Sequence, residues 1–154
     1  MSKITMAIDP GLSGGVAWWD GEEAYCHKMP QTIKDLYDFL SNFTDRDTSV
    51  MMEKVGKHRL GNSAQSSATF AKHVGHLEMA LVACRLPTHE VTATGWMKEI
   101  VPGRPKGVES QQVRARKNYI KDQMQRRYPY LKVTLATADA LGIMEYAVRN
   151  KDRY

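Results

Sequence analysis

Ile4-Thr5-Met6-Ala7-Ile8-Asp9-Pro10-Gly11-Leu12-Ser13-Gly14-Gly15-Val16-Ala17-Trp18-Trp19 reads as a strand, a tight turn and a second strand. Ile4, Met6 and Ile8 alternate with smaller residues, as a strand inside a sheet requires. Asp9 falls where that strand stops, and Pro10-Gly11 turns the backbone. Gly14 and Gly15 let the chain double back before Val16. A carboxylate at the end of a central strand is costly to bury unless something cationic sits on it, and a divalent metal is a natural candidate. Asp-Pro-Gly is also an ordinary turn tripeptide, so these residues alone leave both readings open. A third reading, the phosphate hairpin of actin-like and sugar-kinase ATPases, needs two such domains, and 154 residues are too few for a pair.

That length predicts one domain over residues 1–154, with core enough to fold without staples. No apolar run approaches the ~18–20 residues of a membrane span. Met1-Ser2-Lys3 runs straight into a strand, which predicts no signal peptide and a cytoplasmic protein. Cys26 and Cys84 are the two cysteines, and they form no Cys-x-x-Cys pair, so a reduced compartment and no zinc are expected. A net charge of +5 with a pI near 9.2 favours an anionic partner.

Outward from the first hairpin, Asp20-Gly21 marks a turn and Glu23 to Met29 a third strand. Ile33, Leu36, Tyr37, Leu40 and Phe43 recur at helical spacing, predicting a helix over 32–43. Ser49 to Val55 is a short apolar strand with Glu53 near its end. Lys57-His58-Arg59-Leu60-Gly61-Asn62 is a basic loop. Ser63 is the expected cap of a long helix reaching Arg85. Phe70, Val74, Leu77, Leu81 and Cys84 form one apolar stripe on that helix. Ala64, Ala68, Ala71, Gly75, Met79 and Val82 form a second, internal or open to another subunit. His89 to Ala93 reads as a fifth strand and Trp96 to Val101 as a short helix. A Pro/Gly loop over 102–107 leads to a basic helix over 111–127. A last helix is capped by Thr137, with 131–135 either a brief extension or its lead-in. A mixed sheet with helices on both faces follows.

Asp9 and Glu53 end two strands that can lie side by side, and Asp139 stands near the start of the final helix. In this the chain resembles the RNase H-like nucleases, and among them the RuvC-type Holliday junction resolvases, including phage or viral members. The resemblance runs almost end to end. It is carried by Ile8-Asp9-Pro10-Gly11, Met52-Glu53-Lys54-Val55 and the small-residue helix over 63–75. Met97-Lys98-Glu99-Ile100-Val101-Pro102-Gly103 with Glu109 to Val113, and Ala138-Asp139-Ala140-Leu141, complete it in the same order. The implied fold is α/β, an RNase H-like mixed five-stranded sheet with helices on both faces. One position departs: the family carries an acid or histidine three residues before the last Asp, and here that residue is Ala136. Glu145, six residues beyond Asp139, faces another side of the helix and is not its replacement.

The resemblance implies a metal-dependent endodeoxyribonuclease that cuts Holliday junctions by paired symmetric nicks leaving 5′-phosphates. Mg²⁺ is the expected ion, with Mn²⁺ able to substitute. Two ions ~3.5–4 Å apart would activate water, neutralise the phosphate and help the leaving oxygen, and carboxylates suit Mg²⁺. Asp9 is expected to bridge, with Glu53 on one ion and Asp139 on the other. Lys98 matches the lysine that supports the phosphate, while Lys54 points away from the ligand it follows. DNA contacts are expected from Lys57, His58, Arg59, Arg104 and Lys106, in two loops flanking the acids. The family's wedge follows the second acid. Here that loop has no Phe, and His58 or Leu60 would substitute. Arg114, Arg116, Lys117, Lys121, Arg126 and Arg127 read as a solvated helix face. Two cuts on a two-fold junction need two sites, so a homodimer through the 63–85 helix is expected. Rival readings are a broader branched-DNA nuclease cutting flaps, forks and three-way junctions, as suits a viral version, and a junction-binding protein that does not cut.

Overall fold

A computed structural model describes residues 2–56 and 63–154. The chain runs β1 (Ile4–Asp9), β2 (Gly15–Trp19), β3 (Ala24–Lys28), α1 (Ile33–Ser41), β4 (Thr48–Glu53), α2 (Ala64–Ala83), β5 (Thr88–Val91), α3 (Ala93–Ile100), α4 (Ser110–Arg127) and α5 (Leu135–Arg149). The strands form one sheet in the order β3-β2-β1-β4-β5. β1, β2 and β3 pair antiparallel through their tight turns, whereas β4 lies parallel to β1 and β5 parallel to β4. Both parallel connections pass through a helix, as parallel neighbours demand.

Strand alternation divides the interior in two. Ile4, Met6, Ile8, Val50 and Met52 face α1 and α2, where Leu36, Leu40, Leu77 and Leu81 close a core. Ala7, Ala17, Met51 and Val91 face the other way, onto Trp96 and Ile100 of α3, Ile120 and Met124 of α4, and most of α5. Each fully buried Ile, Leu or Met side chain contributes roughly 1.5–3 kcal/mol. The expected helices on both faces are present. On α4 it is Ile120 that is buried, and Tyr119 sits at the margin.

Two local readings change, and one left open is decided. The last helix is capped by Thr134, with Thr137 completing a reciprocal capping box at its third position. Residues 131–134 are therefore its lead-in, and Val133 is buried there. Phe70 leaves the first stripe of α2: it is half-buried and lies against Gly11, while Val74, Leu77, Leu81 and Cys84 stay in the core. The second stripe is not internal to this chain. Ala64, Ala68, Ala71 and Gly75 are exposed, Met79 and Val82 are 62% and 69% exposed, and a Cβ on Gly75 would meet nothing within 4 Å. Among the described residues no helix is long and apolar enough to cross a membrane.

Candidate active site

The register of the two central strands places the first two acids. Ile8 of β1 pairs with Met52 of β4, so Asp9 and Glu53, the next residue on each strand, end neighbouring parallel strands at one level. Parallel neighbours lie about 4.8 Å apart. Side chains alternate along a strand. Ile8 and Met52 face α1 and α2, so Asp9 and Glu53 point to the face covered by α3, α4 and α5.

The first turn of α5 comes down on the same strand ends. Asp9 pairs with Gly15 across the hairpin, and a Cβ on Gly15 would stand 2.5 Å from the Ala136 carbonyl oxygen. Only a residue without a side chain lets the helix approach this closely. Ala136 therefore lies over the Asp9 end of the hairpin and presents backbone and a methyl group. Asp139 follows three residues later on α5.

Asp139 and Glu53 sense one another. Burial first, and then the Glu53 charge, push the Asp139 carboxyl up from 3.8 to about 6, while Lys117 and then Arg116 draw it back. Glu53 is 8% exposed and accepts a hydrogen bond from the Trp96 indole Nε1 at 2.9 Å. Trp96 can reach it because Gly142 of α5 is bare: a Cβ there would stand 2.4 Å from the Trp96 ring. One buried indole thus orients the second acid while packing on the helix that carries the third.

The remaining candidates divide. Lys98 is exposed in the last turn of α3, two residues and more than half a turn around from Trp96. Arg104 is half-buried and Lys106 exposed in the loop before α4. Arg116 holds that loop, donating to the Gly107 carbonyl at 2.9 Å and to that of Pro105 at 3.5 Å. The loop is thereby tied to the stretch of α4 that acts on Asp139. Lys57, His58, Arg59 and Leu60 lie outside the described residues. Glu145 is engaged elsewhere, accepting from the Tyr128 hydroxyl and pairing with Arg127 at 3.7 Å and Arg149 at 3.4 Å.

Sequence reasoning passed over Trp96, Arg116 and Lys117. A buried Trp needs a partner for its N–H, which is a weak signal for Trp96. The two cations read as part of a solvated face, and nothing local separates them from their neighbours on α4.

Among the described residues no three His, Cys, Asp or Glu side chains are gathered closely enough to hold one ion in common. The donor chemistry nonetheless fits a hard divalent ion. Two carboxylates close enough to repel, Glu53 and Asp139, are what Mg²⁺ takes when it keeps several of its waters. Asp9 stands on the adjoining strand end.

No protein-family model and no curated protein sequence matches the chain. Solved structures do. A Thermus thermophilus RuvC structure superposes with a TM-score of 0.56 at 14% identity, covering 97% of this chain and 96% of that one. T. thermophilus RuvC in complex with a Holliday junction substrate gives a TM-score of 0.62 at 11% identity, over 98% and 96%. At such identities the likeness is one of fold: the chain has the RuvC-type, RNase H-like fold over nearly its full length.

Proposed function

We propose that the protein is a metal-dependent, structure-selective endodeoxyribonuclease that resolves Holliday junctions by paired symmetric nicks. The observation that carries this reading is the electrostatic conflict between Glu53 and Asp139, beside Asp9, at the strand ends of a RuvC-type sheet. Glu53 is buried and Asp139 half-buried, and a divalent cation held between them would relieve the repulsion that raises the Asp139 carboxyl. That one of the matched Thermus structures holds a Holliday junction points to branched DNA as the substrate class.

In this reading Asp9, Glu53 and Asp139 hold Mg²⁺, or Mn²⁺ in its place, at two positions per site. The ions, when bound, supply an activated water and neutralise the phosphate. The chain's own part is to orient and to dry the site. Trp96 fixes the Glu53 carboxylate through its indole N–H and excludes water from it. Lys117 brings positive charge to the Asp139 side, where charge develops on the cut phosphate; Lys98 is the second candidate for that role. Lys57, His58, Arg59, Arg104 and Lys106 track the DNA backbone. Two copies pair through the bare stripe of α2 and so bring two sites to one junction.

The test is a panel of four-way, three-way, flap and linear duplex DNA with and without Mg²⁺. Cutting confined to four-way DNA, and lost in Asp139→Asn with binding intact, supports the proposal. Equal cutting of flaps replaces it with the broader branched-DNA nuclease, which the alanine at position 136 favours. Tight junction binding without cutting at saturating Mg²⁺ or Mn²⁺ leaves a junction-binding protein.

A further inference from the structure

The bare stripe of α2 lies toward β5, where Val82 lines a groove with Thr88 and Glu90. β3 is the opposite edge of the sheet. The Ala24 N–H donates to the Tyr130 hydroxyl at 2.8 Å, whereas the Met29 N–H donates to the Gly14 carbonyl, on the β2 side, at 3.0 Å. An antiparallel strand turns alternate residues toward and away from its neighbour. Tyr25 and His27 therefore bond β2, and Ala24, Cys26 and Lys28 face outward. Among the described residues no protein group meets the outward N–H of Cys26 or of Lys28.

On the face toward α1, the side chains along this edge are aromatic. Tyr25 stacks on Trp18 with ring centroids 5.5 Å apart. Trp18 meets Phe39 edge-on at 5.8 Å, and Phe39 meets His27 at 5.1 Å. α1 covers this row only in part: Tyr25 is 37% exposed, His27 is exposed, and Trp18 and Phe39 are half-buried. Contiguous aromatic rings of this kind are enriched at the centres of protein interfaces.

The rim is acidic. Asp20 Oδ1 accepts the backbone N–H groups of Glu22 and Glu23 at 2.9 and 2.8 Å, which holds its carboxyl below the ordinary value. The Tyr25 hydroxyl donates to Glu23 Oε2 at 3.4 Å, and the Asp20 charge, above all, keeps that hydroxyl above the ordinary tyrosine value. Asp20, Glu22 and Glu23 so gather three carboxylates beside the rings, on a chain of net charge +5. Trp19 pairs with Thr5, and Gly15 with Asp9, so this turn stands about 14 Å down the sheet from Asp9, at ~3.4 Å per residue. The surface is separate from the candidate active site, and its carboxylates repel a phosphate backbone. They suit a cationic side chain laid over an aromatic ring.

We propose that β3 receives an extended basic segment of another protein as a sixth strand, paired with Cys26 and Lys28, with an arginine or lysine over Tyr25 and against Glu23. The inference stands apart from the nuclease reading. Tyr130 sets where the added strand stops, because its hydroxyl already takes the Ala24 N–H. It also excludes a second copy as the occupant: two β3 strands paired about Cys26 would set Ala24 against Lys28, where the Tyr130 ring stands. A dimer through α2 leaves β3 open.

The experiment adds a short peptide of alternating arginine and valine to the isotope-labelled full chain and follows amide hydrogen exchange by NMR. With peptide at about tenfold its Kd, exchange at Cys26 and Lys28 should slow about tenfold, since only free protein exchanges there. The same peptide N-methylated at alternate residues cannot pair with an edge and should protect neither amide. Glu23→Gln should weaken the arginine peptide several-fold and leave exchange in β1 unchanged. Binding that does not saturate by about 1 mM, protection confined to other amides, or equal binding of a glutamate–valine peptide overturns the proposal. So does a thymidine single strand that protects the same two amides, which would make this edge a nucleic-acid surface.

Discussion

Asp139→Asn should make the metal-free protein more stable at neutral pH. The carboxyl of Asp139 ionises at about 6 in the folded chain, against an ordinary 3.8, because it is buried and faces Glu53. Between those two values the folded state binds more protons than the unfolded one, so stability falls as pH rises through that window. Below about pH 4 Asp139 is neutral in both states and nothing is lost. By pH 7 the whole penalty is present: the rise from 3.8 to about 6, at ~1.4 kcal/mol per pH unit, amounts to about 3 kcal/mol. Asparagine keeps the shape without the charge. In EDTA at pH 7 the variant should therefore melt roughly 6–12 °C higher, at the ~2–4 °C per kcal/mol usual for this size. Its denaturant midpoint should also be flatter between pH 4 and 7 than that of wild type. Saturating Mg²⁺ should reverse the order, raising the wild-type melting temperature and leaving Asp139→Asn nearly unmoved. Urea titrations at four pH values, with and without Mg²⁺, measure all of this. An Asp139→Asn protein no more stable than wild type at pH 7, with the same pH slope, would refute the claim that these two acids repel in the absence of a cation.

Trp96→Phe removes the indole donor to the buried Glu53; it should cost about 2–3 kcal/mol, as for a hydrogen bond to a charged group, and weaken Mg²⁺ binding measured calorimetrically. Lys117→Ala withdraws the larger of the two cationic influences on Asp139; the pH at which cleavage reaches half its maximum should move up, with turnover reduced, whereas Lys98→Ala should leave that pH in place. Met79→Glu with Val82→Glu puts two charges on the bare stripe of α2; analytical ultracentrifugation should show a dimer becoming a monomer with an unchanged circular dichroism spectrum.

The alternation of Ile4, Met6 and Ile8, and the abrupt Asp-Pro-Gly that follows, determine the first hairpin and put an acid at its end. These are local facts, because a strand's period and a turn's dihedral demands act within a few residues. The order of three strands, helix, strand, helix, strand and helices was legible for the same reason. So were Asp9 and Glu53 as candidates, since each ends a strand; Asp139, the fifth residue of α5, became one through the resemblance of Ala138-Asp139-Ala140-Leu141. What the tertiary structure alone decided is which groups meet. Trp96 reaches Glu53 only because Gly142, 46 positions away in the chain, leaves room for its ring. Lys117 and Arg116 look like any solvated cations of α4 until α4 packs beside α5 and brings them to Asp139. The second stripe of α2 could have been core or interface from its residues alone, and Phe70 fitted a core stripe; the packing exposed the one and turned the other to Gly11. Burial and through-space charge belong to no single segment. They arise when distant elements close on one another, so no local pattern could carry them.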